Sequence, residues 1–337
     1  MVEVISFADA LTRSEQYPKR HLVLGNGFSI ACKPDIFAYR ALFEQAAFGK
    51  ADSFTREAFD VLDTRDFEEV MRALRDAARL VRKFDPKRSD MADAFARGVN
   101  ELREILVTTI ASQHPERPAD ISPVQYKAAR QFLSHFNLKY TLSYDLLLYW
   151  TLMQSEIAPP LGHDDGFRTP EDGPGTYVTW DVERTDQQDV FYLHGALHLF
   201  DAGPELKKFT WINTGIRLIE QIRGALNQNL FPLIVAEGTS QSKKTKIMHS
   251  NYLSRGYRSL TKVGGAIFLY GHSLAEKDEH ILRLIQRCRS KHVFVSIYGD
   301  PKDPLNTALT ERAMLLQGGS QKRKVELYDA SSARVWG

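Results

Sequence analysis

The run His21-Leu22-Val23-Leu24 stops on Gly25-Asn26-Gly27, and this junction constrains the chain more than any other. A short, unbroken apolar run is what a parallel strand buried on both faces requires. A glycine behind it permits a tight turn, and a second lets backbone approach a neighbouring group closely. The pattern recurs. Lys139 to Ser143 precedes Tyr144-Asp145, and Val190 to Leu193 ends at His194-Gly195. Phe231 to Ala236 ends at Glu237-Gly238, and Gly265 to Tyr270 ends at Gly271-His272-Ser273. Val293 to Tyr298 and Val325 to Tyr328 complete the set. Helical segments alternate with these strands: Phe37 to Phe48, Val124 to Phe136, Leu146 to Met153 and His280 to Cys288. The alternation predicts an α/β fold, a doubly wound parallel sheet of Rossmann-like type.

In such sheets ligands sit beyond the carboxyl ends of the strands. Asn26, Ser29, Ser143, Asp145, His194, Glu237, His272 and Ser273 all lie just after strands, so they are expected to share one crevice. Residues 50–112 differ, with helical periodicity over Phe67 to Leu74 and Phe95 to Ile110 and no alternation of a β kind. The expected organisation is therefore an α/β domain over 1–48 and 126–337, with a helical insertion over 49–125. The charged helical faces there read as solvated surface. Residues 158–176, rich in proline and glycine, read as a long loop.

Charge and cysteine content exclude several classes. The 44 Lys and Arg against 42 Asp and Glu leave a formal net charge of +2, with no global pull toward nucleic acid or anionic membrane. The basic runs Lys243-Lys244-Thr245-Lys246 and Lys322-Arg323-Lys324 read as solvated surface. Two cysteines, Cys32 and Cys288, make neither a disulfide framework nor a four-cysteine zinc site, and read as reduced thiols. No window reaches the roughly 18 apolar residues of a membrane span. The start carries acidic residues and no apolar targeting segment, so a cytoplasmic protein is expected.

Three motifs bear on chemistry. Gly25-Asn26-Gly27 holds the first two glycines of a dinucleotide turn, while Ile30 stands where the third would be. No Gly-Lys-Ser/Thr follows, which rules out a Walker A loop. His194, at a strand end before Gly195, is placed to present an imidazole as a general base, or is a hydrogen-bonded structural histidine. His198 lies four residues on, but no carboxylate motif accompanies the pair, and no metal site is expected. Asp145 suits a helix N-cap as well as a site. Ser143 lacks the Gly-x-Ser-x-Gly surroundings of a nucleophile elbow. Glu68 and Glu69, adjacent on a helix, face different ways and read as surface.

Taken in order, these pieces resemble the sirtuin-like superfamily. Gly25-Asn26-Gly27-Phe28-Ser29 resembles its Gly-Ala-Gly-x-Ser turn, and Lys33-Pro34-Asp35-Ile36-Phe37 the Ile-Pro-Asp-Phe segment that follows, with one extra residue. Thr141-Leu142-Ser143-Tyr144-Asp145 resembles Thr-x-Asn-x-Asp, Leu193-His194-Gly195 the His-Gly, and Leu269 to Leu274 the late turn on the adenosine half of NAD. Without zinc cysteines, the chain is closer to the bacterial anti-phage branch that hydrolyses NAD than to deacylases. The resemblance implies NAD as substrate, release of nicotinamide and ADP-ribose, no metal, and a homo-oligomer or a defence-complex partner. It implies His194 as base, with Ser143 and Asp145 beside it. Gly25, Asn26, Gly27, Phe28, Ser29, Asp35, Phe37, Gly271, His272 and Ser273 would then contact the nucleotide. One departure stands out: Ser143 replaces the asparagine that places the attacking water or ribose. The alternative is therefore a weak or inactive module that binds NAD or ADP-ribose.

Overall fold

The apolar runs pair into one sheet. The computed structural model describes residues 3–37, 43–48, 54–170, 177–202, 205–210, 217–228, 230–235, 239–318 and 323–337. Its strands are β1 (Val4–Ile5), β2 (Arg20–Leu24), β3 (Leu138–Thr141), β4 (Phe167–Arg168), β5 (Tyr177–Trp180), β6 (Val190–Tyr192), β7 (Leu199–Asp201), β8 (Leu206–Phe209), β9 (Gly264–Tyr270), β10 (Arg289–Ile297) and β11 (Lys324–Asp329). Its longer helices are α1 (Phe7–Ser14), α2 (Gly27–Cys32), α3 (Pro34–Phe37), α4 (Phe54–Val61), α5 (Phe67–Phe84), α6 (Ser89–Gln113), α7 (Pro123–Ser134), α8 (Leu147–Met153), α9 (Leu218–Asn227), α10 (Ser240–His249), α11 (Asn251–Leu260), α12 (Glu279–Arg287) and α13 (Pro304–Met314).

Seven strands, in the order β1-β11-β10-β9-β2-β3-β6, form a sheet in which every neighbouring pair is parallel. The fold is α/β and Rossmann-like, as the alternation of elements predicts. Burial on both faces explains the unbroken apolar runs. Leu22, Val23 and Leu24 of β2, Ile267 and Phe268 of β9, and Val293, Phe294 and Val295 of β10 are all buried. On one face, Phe136 packs against Phe268 and Phe132 against Tyr270, each pair with ring centroids 5.2 Å apart. From β2 the chain moves outward through β3 to β6. It then returns to the other side of β2 with β9 and moves outward again through β10 and β11. That reversal opens a crevice between the carboxyl ends of β2 and β9, where open α/β sheets bind ligands.

The segment after residue 53 consists of α4, α5 and α6 joined by short connections, with α5 and α6 packed together. The apolar stripe of α5 falls on Phe67, Val70, Met71, Leu74 and Ala78, the i, i+3, i+4, i+7 spacing of one helix face, and all five are buried.

Three expectations need correction. Phe231 to Ala236 forms no strand in its described part: Ile234 makes only an isolated antiparallel bridge to Gly195. The proline- and glycine-rich stretch contains β4, which joins a second, antiparallel sheet of order β4-β5-β8-β7. Strands of two to four residues carry too few alternations to register as period-two patterns. The basic runs are not simply surface. Lys243 is buried, and buried Arg323 donates to the carbonyls of Cys288, Ser290 and Leu316 at 2.8–3.2 Å. Of the helix expected over Phe37 to Phe48, residues 38–42 lie outside the described residues, as do Glu237 and Lys322.

Candidate functional site at the strand ends

Four strand ends contribute to one cavity of about 210 Å³. Gly25, Asn26 and Gly27 come from the turn after β2, and Ser143 and Asp145 from the turn after β3. His194 follows β6, while Gly271, His272 and Ser273 follow β9. Phe37 closes one side. The expected convergence therefore holds for these residues. The roof comes from the helical segment: Phe67 at the start of α5, and Leu106 and Ile110 on α6. The spacing predicts solvated charged faces for that segment but holds no sign that its apolar side covers the strand ends. Lys277 and Asp278, also in the lining, carried no motif to mark them.

The glycines have a local reason. A Cβ on Gly25 would lie 2.3 Å from the Gly271 carbonyl oxygen, and one on Gly27 would lie 2.4 Å from the Gly271 Cα. Gly271 itself has φ +65°, and a Cβ there would sit 2.6 Å from the Gly27 Cα. The Gly27 N–H donates to the Gly271 carbonyl at 2.9 Å. The two turns thus interlock backbone to backbone, and this contact alone demands all three glycines.

Three residues of the expected set do not line the cavity. Phe28 turns into the core, its ring 4.9 Å from Trp336, whose indole N–H donates to the Phe28 carbonyl. Ser29 is buried and donates to Asp145. Asp35 is exposed.

Asp145 is a hub. Its Oδ1 accepts the Leu147 N–H at 2.8 Å, so it does help to begin α8. Its Oδ2 accepts the Ser143 hydroxyl at 2.5 Å and that of Ser29. His114, at the end of α6, holds the same turn: its Nε2 accepts the Leu146 N–H at 3.1 Å, while Nδ1 donates to the Pro115 carbonyl at 3.0 Å. Asn26 donates to the Phe37 carbonyl at 3.0 Å, and its Oδ1 lies 3.4 Å from the Ser143 hydroxyl. An amide and a hydroxyl therefore face the cavity side by side.

His194 is held from behind. The Val235 N–H donates to its carbonyl at 2.9 Å, and Gly195, at φ +78°, bends the chain beneath Leu233. Its Nε2 is 3.1 Å from Nε2 of His280 and 4.0 Å from Asp278 Oδ1. Asp278 also receives buried Lys243 at 3.2 Å and faces His272 Nε2 at 3.5 Å. Burial pushes the His194 pKa well below 6.5, against the opposing pull of Asp278. Burial likewise lowers His280 to about 4. Burial raises Asp278, but Lys243 and the histidines outweigh it and hold the carboxyl well below its usual range. The imidazoles are therefore neutral and the carboxylate ionised near neutral pH.

One atom each from His194, Asp278 and His280 lie within 4.8 Å of one another, a spacing compatible with a metal ion. The Lys243 ammonium on Asp278 opposes a divalent cation at that point. His272 is not a further ligand: its Nδ1 accepts the Leu274 N–H at 2.8 Å, so the proton of the neutral ring sits on Nε2. His198 stands apart, buried with its ring 4.8 Å from that of Tyr149.

No described helix is long and apolar enough to cross a membrane. A family model described as Domain of unknown function (DUF4917) matches residues 22–336, and the chain belongs to that family. No curated protein matches it.

Proposed function

We propose that this DUF4917 chain binds NAD at the strand-end cavity and hydrolyses the nicotinamide–ribose bond, giving nicotinamide and ADP-ribose. The observation that carries the reading is convergence. The glycine turn, Asn26, Ser143, Asp145 and His194 come from three separate strand ends, yet line one cavity at the reversal of strand order. At about 210 Å³ the cavity is smaller than the about 300–1,000 Å³ of ordinary small-molecule sites, so a dinucleotide would place one end there and extend outward.

The reaction needs little covalent help. The ring nitrogen of NAD is cationic, so nicotinamide leaves as a neutral base and positive charge develops on the ribose. The site must orient a water, take its proton and exclude bulk solvent. A buried, neutral His194 suits the proton. Phe37, Phe67, Leu106 and Ile110 supply the dry wall. The resemblance to sirtuin-like proteins points to the same ligand, and Asn26 offers an amide beside Ser143 where those proteins carry an asparagine at the serine's place. Depletion of NAD in an infected bacterial cell, within a cytoplasmic assembly of this chain or with a defence partner, is the setting this resemblance supports.

A second reading has its own observation. The Ser143 hydroxyl donates its proton to Asp145 at 2.5 Å, so it has none to offer a water or ribose, which favours a module that binds NAD or ADP-ribose without cleaving it. Incubation of the purified protein with NAD, followed by chromatography, separates the two. Nicotinamide and ADP-ribose formation that vanishes in His194→Ala supports the hydrolase. Calorimetric NAD binding without any nicotinamide supports the module, and neither binding nor cleavage refutes both.

A further inference from the structure

Hydrolysis of NAD releases one proton for each nicotinamide, and while substrate occupies the cavity a protein group must take that proton and pass it on. The geometry points to a proton relay that runs from His194 through His280 to Ser240 and ends in an outer pocket. The inference rests on the hydrolase reading above and assigns roles to residues that reading leaves unused.

The distances set out the path. His194 lines the inner cavity, and its Nε2 faces His280 Nε2 at 3.1 Å. The far nitrogen of His280, Nδ1, is 3.4 Å from the Ser240 hydroxyl. Ser240 begins α10 and lines an outer pocket of about 480 Å³, flanked by Arg72, Lys277, Arg283 and Arg312 and by Glu276 and Glu279. His280 is buried and Ser240 half-buried, so the path goes from enclosed to open. Asp278, Lys243, His272 and Lys244 act electrostatically on the pair, and the Tyr257 hydroxyl donates to the His280 carbonyl at 3.2 Å.

Two facing nitrogens share one proton, since two protons there would collide and none would leave lone pairs opposed. The competent arrangement has Nε2–H on His194, donated to His280, and Nδ1–H on His280, donated to Ser240. His194 Nδ1 is then free to accept. As the water oxygen bonds to the ribose carbon and the bond to nicotinamide breaks, the water proton moves to His194 Nδ1. The Nε2 proton moves to His280, the Nδ1 proton of His280 moves to Ser240, and the serine proton leaves to water in the outer pocket. When the products depart, His194 loses its Nδ1 proton to the opened cavity and a proton returns along the chain from outside. One proton is released per turnover, and the tautomers are restored.

The full-length protein, labelled with 15N-histidine, tests the chain without turnover. Nuclear magnetic resonance should show His194 as the Nε2–H tautomer and His280 as the Nδ1–H tautomer. Ser240→Ala, at a half-buried position that tolerates truncation, should lower kcat for NAD about tenfold with KM within about twofold, and so should His280→Gln. Both variants should lose the solvent deuterium effect on kcat that accompanies multiple proton transfers. The opposite tautomers, or Ser240→Ala with unchanged kcat and isotope effect, would overturn the relay. A stoichiometric transition metal in the purified protein, lost in His280→Gln, would overturn it too, because the facing nitrogens would then be ligands. Expected tautomers in a protein that leaves NAD intact would count against the hydrolase reading and not against the hydrogen-bond chain.

Discussion

Asn26 and Ser143 sit side by side in the site, the amide oxygen 3.4 Å from the hydroxyl. On the proposed sirtuin-like reading, alanine would stand in the glycine turn and asparagine after the next strand. Here the amide is at 26 and the small side chain at 143. If the amide's place in the cavity matters more than its place in the chain, Asn26→Ala should cut NAD cleavage at least about tenfold, about 1.4 kcal/mol of barrier. The swap Asn26→Ala with Ser143→Asn should restore most of it. Steady-state assays of the single and double variants check this; a double variant as inactive as Asn26→Ala would show that the amides do not substitute for one another. The proposed base has a pH signature. Because burial holds His194 neutral well below 6.5, kcat/KM should stay level from pH 8 down past 6.5 and fall only in more acid solution.

At the scale of elements, the turns after β2 and β9 act as one unit. Gly271 has φ +65° and touches Gly27 backbone to backbone, so Gly271→Ala meets both backbone strain and a clash. A loss of about 2–4 kcal/mol is expected, read as a lowered urea midpoint with an unchanged slope. The roof is the other unit. Leu106→Ala on α6 removes a fully buried side chain above the cavity and should cost about 2–5 kcal/mol, with weaker NAD binding by calorimetry. The sequence made the first unit legible and the second only half so. Glycines behind an apolar strand report a close backbone approach, though not that the partner is Gly271. The periodicity of Phe67 to Leu74 reports a helix with an apolar stripe, but one-dimensional spacing holds nothing about what the stripe covers. His280 and Lys243 were opaque for a related reason: each sits in an ordinary amphipathic or basic run, and only the folded packing of α10 against α12 makes them buried partners of Asp278.

The whole molecule reverses its strand order between β2 and β9, and its parallel sheet is readable in the sequence while the small antiparallel sheet is not. Long apolar runs define the former; the latter pairs strands of two to four residues and is flanked by contacts such as Lys208 on Asp165 at 2.5 Å, which no local pattern encodes. Buried histidines on strand and helix also give the molecule an acid limit. Burial lowers His21 and His280 from 6.5 to about 4. The unfolded chain then binds protons that the folded chain does not, so stability is complete above about pH 6.5 and falls as pH drops toward 4. Each such histidine removes up to about 1.4 kcal/mol per pH unit within that window. Urea denaturation at pH 7, 6 and 5 should show midpoints descending in that order. The central claim, that the reversal point between β2 and β9 is a nucleotide site, is tested most directly by a crystal structure with ADP-ribose and nicotinamide. Density for the ribose between Asn26, Ser143 and His194 is the predicted result. Density confined to another cavity, such as the one beside Tyr149 and Lys208, with the strand ends empty, would contradict it.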